Sequence, residues 1–144
     1  MNTARQRSLW AVVGAAALIM AGCASGSGTS DGTGLRLSGA NEVPPVSSPA
    51  SGSSTITVGA DRSVGGTVTA TGMTATAAHI HQAAAGQNGP VAVPLTKTGD
   101  NAFAVPAGAK LNDAQWEAYK AGNLYINVHS DAHKGGEIRG QLKP

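Results

Sequence analysis

From Leu35 onward the chain is written in short alternating runs, each cut off by glycine, proline or asparagine, and that punctuation points to sheet. Leu35-Arg-Leu-Ser-Gly alternates apolar and polar residues. Thr55-Ile-Thr-Val does so again after a Ser/Gly-rich turn. Val64 to Thr71 follows the Asp61-Arg62 turn, and Thr76 to His81 forms the next run. Val91–Leu95 and Ala102–Val105 are shorter. Leu124-Tyr-Ile-Asn-Val-His is the strongest strand signal, and Glu137-Ile-Arg-Gly-Gln-Leu is the last. Alternation places successive side chains on opposite faces. Runs at intervals of about 8–12 residues predict an all-β fold, an antiparallel Greek-key-like β-sandwich or barrel.

One segment follows another rule. Residues 112–121 read as a short helix: Asn112 is a natural N-cap, and Gln115 stands three residues on, as in a capping box. Trp116 and Tyr119 share a face, and Gly122 supplies the stop. The aromatics are expected to lie over an open edge of the sheet.

The N-terminus reads as a processing segment. Arg5 and Arg7 precede an apolar run from Leu9 to Met20, too short to span a bilayer, which closes as Ile19-Met20-Ala21-Gly22-Cys23. This ending is similar to a bacterial lipobox, which implies cleavage before Cys23 and lipidation of its thiol. The expected organisation is a lipoprotein signal peptide over 1–22, a flexible Gly/Ser tether over 23–34 and one domain over 35–144. Cleavage leaves 122 residues and no second cysteine for an internal disulfide. Stability must then come from an apolar core, with help from a metal as a further source. Without Arg5 and Arg7, eight Lys+Arg balance eight Asp+Glu, and a neutral chain gives no nucleic-acid surface. The implied partner is a membrane, through Cys23. The implied address is extracytoplasmic: the periplasmic side of an outer membrane, or the outer face of a cytoplasmic one. Ala24 after Cys23 gives no acidic inner-membrane retention signal.

The chain has four histidines, in two clusters: His79 and His81 as His-Ile-His, and His129 and His133 around Ser-Asp-Ala. Imidazole is the commonest protein ligand for transition metals. On a strand His79 and His81 project to one face, about 6.5–7 Å apart. His129 shares a face with Tyr125 and Asn127, opposite Leu124, Ile126 and Val128. If the two strands are neighbours, His129 meets the His-x-His pair, and His133 follows in a Gly-rich return. Four imidazoles, with no thiolate and no carboxylate cluster, suit copper first and zinc second. The competing reading makes the histidines surface or turn residues that hydrogen-bond backbone. Met73 is the one methionine after residue 22, which argues against a Met-rich copper carrier.

Other polar residues have plainer roles. Glu137 and Arg139 share a face of the last strand, where they form an exposed ion pair or Arg139 steers an anion to the site. Asp131 caps the turn or orients an imidazole. The prolines after Glu42-Val43 end the first strand. No serine-nucleophile motif, phosphate loop or glycosidase carboxylate pair is present.

A family resemblance rests on five segments in order: Leu37-Ser-Gly-Ala-Asn-Glu-Val-Pro-Pro-Val, Ala78-His-Ile-His, Asn88-Gly-Pro-Val, Leu124-Tyr-Ile-Asn-Val-His and Gly136-Glu-Ile-Arg-Gly-Gln-Leu. Together they resemble the CHRD domain, from about Leu35 to Leu142. The resemblance implies an extracytoplasmic, mostly β domain. By analogy with chordin it implies a cell-surface protein partner. More loosely, the His-x-His strand with two later histidines is similar to the copper site of copper/zinc superoxide dismutases. The chain departs from those enzymes in lacking their disulfide and in having its last two histidines close together. The expectations are therefore copper binding through His79, His81, His129 and His133, with superoxide dismutase-like activity as the enzymatic version. Copper buffering and a non-enzymatic interaction module are the alternatives.

Overall fold

The computed structural model describes residues 34–144. Cys23, the expected signal peptide and most of the expected tether lie outside the described residues. Eleven strands and one α-helix follow in order: β1 Leu35–Ser38, β2 Ser51–Ser54, β3 Thr57–Val58, β4 Val64–Gly65, β5 Thr67–Thr71, β6 Ala75–Gln82, β7 Val91–Pro94, β8 Thr96–Gly99, β9 Ala102–Ala104, α1 Asp113–Lys120, β10 Leu124–Ser130 and β11 Ile138–Leu142. Nine form one antiparallel sheet in the order β7-β6-β10-β11-β1-β2-β5-β9-β8, and β3 pairs with β4 apart from it. The two end strands, β7 and β8, are joined through Leu95 alone. The Leu95 amide donates to the Ala78 carbonyl at 3.0 Å, and Lys97 Nζ to that of Ala75 at 2.7 Å. The sheet therefore curls almost into a barrel, as an antiparallel sheet of this strand number does to cover its open edges.

Alternation decides what fills it. Leu124, Ile126 and Val128 of β10 and Ala78 and Ile80 of β6 have no exposed surface and meet Leu37, Val68, Phe103 and Ile138. Each of the large side chains contributes about 1.5–3 kcal/mol by leaving water. The opposite face of β10 is covered as well: Tyr125 and Asn127 are 2% exposed. Loops cover that face, as described below, so β10 reads as buried on both sides.

Val64–Thr71 is two strands. Gly66 sits at φ +119°, and a Cβ there would stand 2.7 Å from the Ile56 Cα, so only glycine makes this bend without strain. The capping box forms as read: the Gln115 amide donates to Asn112 Oδ1 at 2.8 Å, and the Asn112 amide to Gln115 Oε1 at 3.0 Å. Trp116 and Tyr119 stack at 5.7 Å and pack against the core. Glu137 precedes β11 and is buried, where it accepts from Ser48 Oγ at 2.6 Å. It forms no ion pair with Arg139, which is itself 1% exposed.

Candidate metal centre

β6 and β10 are antiparallel neighbours, in a register that sets His79 opposite Asn127, His81 opposite Tyr125 and His129 opposite Ala77. The pleat turns His79, His81 and His129 to the face away from the core. One nitrogen from each imidazole lies within 4.8 Å of the others. His79 Nδ1 and His129 Nε2 are 2.9 Å apart. Donors on a tetrahedral ion at 2.0–2.1 Å stand about 3.3 Å apart, so the rings must rotate to close around an ion. These three histidines can hold a metal ion.

Backbone carbonyls orient two of the rings. His81 Nδ1 donates to the Gly89 carbonyl at 2.8 Å, and His129 Nδ1 to that of Lys134 at 2.9 Å. Each bond assigns the proton to Nδ1 and leaves Nε2 with its lone pair, the orientation that metal-binding imidazoles take from such partners. His129 Nε2 then accepts from His79 Nδ1–H. His81 Nε2 is buried and meets no partner among the described residues. A buried nitrogen lone pair without a donor is costly, and a cation among the three rings would satisfy it. Burial holds all three imidazoles below their usual pKa. At His79 the charges on His129 and His81 add to this, at His81 the Arg139 charge, and at His129 that of His81; the Gly89 and Lys134 carbonyls pull the other way. The neutral form, which binds metal, is therefore favoured.

Behind the histidines lies a stack. Tyr125 lies parallel to His81, rings 5.0 Å apart, and the Arg139 guanidinium sits 3.4 Å over the other face of Tyr125. Arg139 Nη2 donates to the Gln87 carbonyl at 2.8 Å and Nη1 to Asn88 Oδ1 at 3.2 Å. Asn88 Nδ2 in turn donates to the Val43 carbonyl at 2.7 Å, and the Gly89 amide to the Tyr125 hydroxyl at 3.2 Å. Arg139 thus fixes the 84–89 loop whose Gly89 carbonyl aligns His81. Anion steering, read for Arg139 from the sequence, needs an exposed guanidinium. This one is sealed under a loop, because five N–H donors on a flat cation satisfy several converging carbonyls at once.

His133 does not join the trio. Its amide donates to Ser130 Oγ at 3.1 Å, its carbonyl accepts from Gly136, and it lines a separate cavity with Glu42, Pro44 and Asn88. Asp131 is exposed in the same turn. The orienting acceptors are carbonyls of Gly89 and Lys134, which carry no residue-type signal and escape a sequence reading. Tyr125 was legible as a same-face neighbour of His129, though not as a platform. Two other buried polar atoms lack partners among the described residues, Glu42 Oε1 and Asn127 Oδ1, and both residues approach Gly136.

No curated protein and no solved structure matches the chain. The CHRD domain profile matches residues 34–142, nearly all of the described domain. The chain belongs to the CHRD domain family.

Proposed function

We propose that this CHRD protein is an extracytoplasmic, lipid-anchored copper-binding protein whose ligands are His79, His81 and His129. The observation that carries the reading is the convergence of three imidazole nitrogens within 4.8 Å, one of them buried without a partner. Copper is favoured over zinc on chemistry: all-nitrogen donation and the usual affinity order. Three protein ligands leave a fourth position, which we assign to water or, after a rearrangement of the 131–135 turn, to His133.

Superoxide dismutation is the turnover we propose for such a site. One superoxide gives up an electron and leaves as dioxygen; a second takes that electron with two protons and leaves as hydrogen peroxide. Copper supplies the one-electron couple. Lys134, exposed next to the bond that holds His129, is the cation placed to draw in an anion.

The test is metal content after copper and zinc loading and exhaustive dialysis, beside His81→Ala and His133→Ala variants. About one copper per chain, lost in His81→Ala, is expected. His133→Ala retains copper if water is the fourth ligand. Unchanged stoichiometry in His81→Ala removes the site. Copper-loaded protein no faster than free copper in a superoxide assay removes the enzymatic part and leaves copper buffering. No retained metal in any form favours a cell-surface interaction module.

A further inference from the structure

A second cavity, of about 630 Å³, lies over β1 and β11, apart from the histidines; none of the four lines it. Its volume is that of a small-molecule site. Leu35, Val43 and Pro45 give it apolar wall, and Arg36 and Lys143 bring two exposed cations to it. The ion pairs among the described residues are Arg62–Asp113, Lys110–Asp61 and Lys120–Glu117, so neither Arg36 nor Lys143 is engaged in one. Arg139 adds a third positive charge at the base. The acid in the lining is Glu42; its Oε1 is buried, and burial raises the carboxyl pKa to about 7, which lessens its negative charge at neutral pH.

The combination is selective. A purely polar anion gains little from the apolar wall. A neutral hydrocarbon leaves two cations beside the cavity unanswered.

We propose that this cavity binds a small amphipathic carboxylate, with Arg36 and Lys143 meeting the carboxylate and Leu35, Val43 and Pro45 covering its apolar body. Arg36 can take the carboxylate through two N–H donors, a geometry lysine lacks, while Lys143 adds a mobile point charge. Both are on the surface, so replacing them does not threaten the core. The assignment is independent of the metal reading.

The experiment is calorimetric titration of the purified, chelator-treated protein with decanoate below its micelle concentration. Decanamide is the neutral control. Arg36→Gln/Lys143→Gln and His79→Ala/His81→Ala are the two double variants. Saturable binding of about one decanoate per chain is expected. It should weaken at least tenfold for decanamide and for Arg36→Gln/Lys143→Gln, and persist in His79→Ala/His81→Ala. No saturable uptake of decanoate overturns the proposal. So does equal affinity for decanamide, or undiminished affinity in Arg36→Gln/Lys143→Gln. Loss of binding in the histidine variant also overturns it, because it relocates the ligand to the imidazoles.

Discussion

Glu42 offers a measurement in which pH does the work. The residue is 5% exposed, and its Oε1 is buried without a donor. Burial raises its pKa from 4.5 to about 7, against the opposing charge of Arg139. A carboxyl with a raised folded pKa holds its proton in the fold where the unfolded chain has released it. Its contribution to stability is full below pH 4.5 and is lost as pH rises through 7. The full rise corresponds to about 3 kcal/mol, of which about 2 kcal/mol is lost between pH 5 and pH 8. Glu42→Gln is neutral at every pH. The stability difference, variant minus wild type, should therefore move by about 2 kcal/mol in favour of the variant from pH 5 to pH 8. The three half-buried histidines have lowered pKa values and slope the other way, but they do so in both proteins and cancel in the difference. Urea unfolding of chelator-treated protein at the two pH values measures it. A difference that stays constant within about 0.5 kcal/mol would refute the claim that Glu42 is ionised at a cost inside the fold.

Three further substitutions probe the architecture. Arg139→Lys keeps the charge but loses the flat stack on Tyr125 and the fork to Gln87 and Asn88. Copper affinity should fall roughly tenfold and stability by about 2 kcal/mol; unchanged copper affinity in a folded variant would show that the 84–89 loop holds His81 without it. Gly136→Ala should cost about 2 kcal/mol or more in thermal unfolding, because Gly136 sits at φ +127° and a methyl there would overlap Asn127 Nδ2 and Glu42 Oε1. Asn112→Ala removes one half of the reciprocal cap on α1, so a loss of about 1 kcal/mol in urea unfolding is expected, with copper binding untouched.

Much of this fold was legible because the signals are local. Strand alternation put Leu124, Ile126 and Val128 on one side and Tyr125, Asn127 and His129 on the other, as the pairing of β10 bears out. The helix was legible from Asn112 and Gln115, since a capping box needs residues three apart. Gly66 was not legible as a break, because its constraint is the backbone of Ile56, ten residues back. Arg139 misled for the same kind of reason: an arginine beside a glutamate on a strand reads as surface, and what seals it is a loop some fifty residues away.

The sequence by itself determined which atoms were available for the site: imidazoles at 79, 81, 129 and 133, the faces they take on their strands, and the absence of a competing thiolate in the domain. Those follow from side-chain chemistry and a period of two, which any strand obeys. Only the tertiary structure decided that β6 lies against β10 and brings His79 to His129 across fifty residues. It also decided that His133 turns away and that the carbonyls of Gly89 and Lys134 set the rings. Strand neighbours are chosen by the burial of the whole sheet at once, and carbonyl directions by the loops that close over it. Neither is a property of any short stretch of chain.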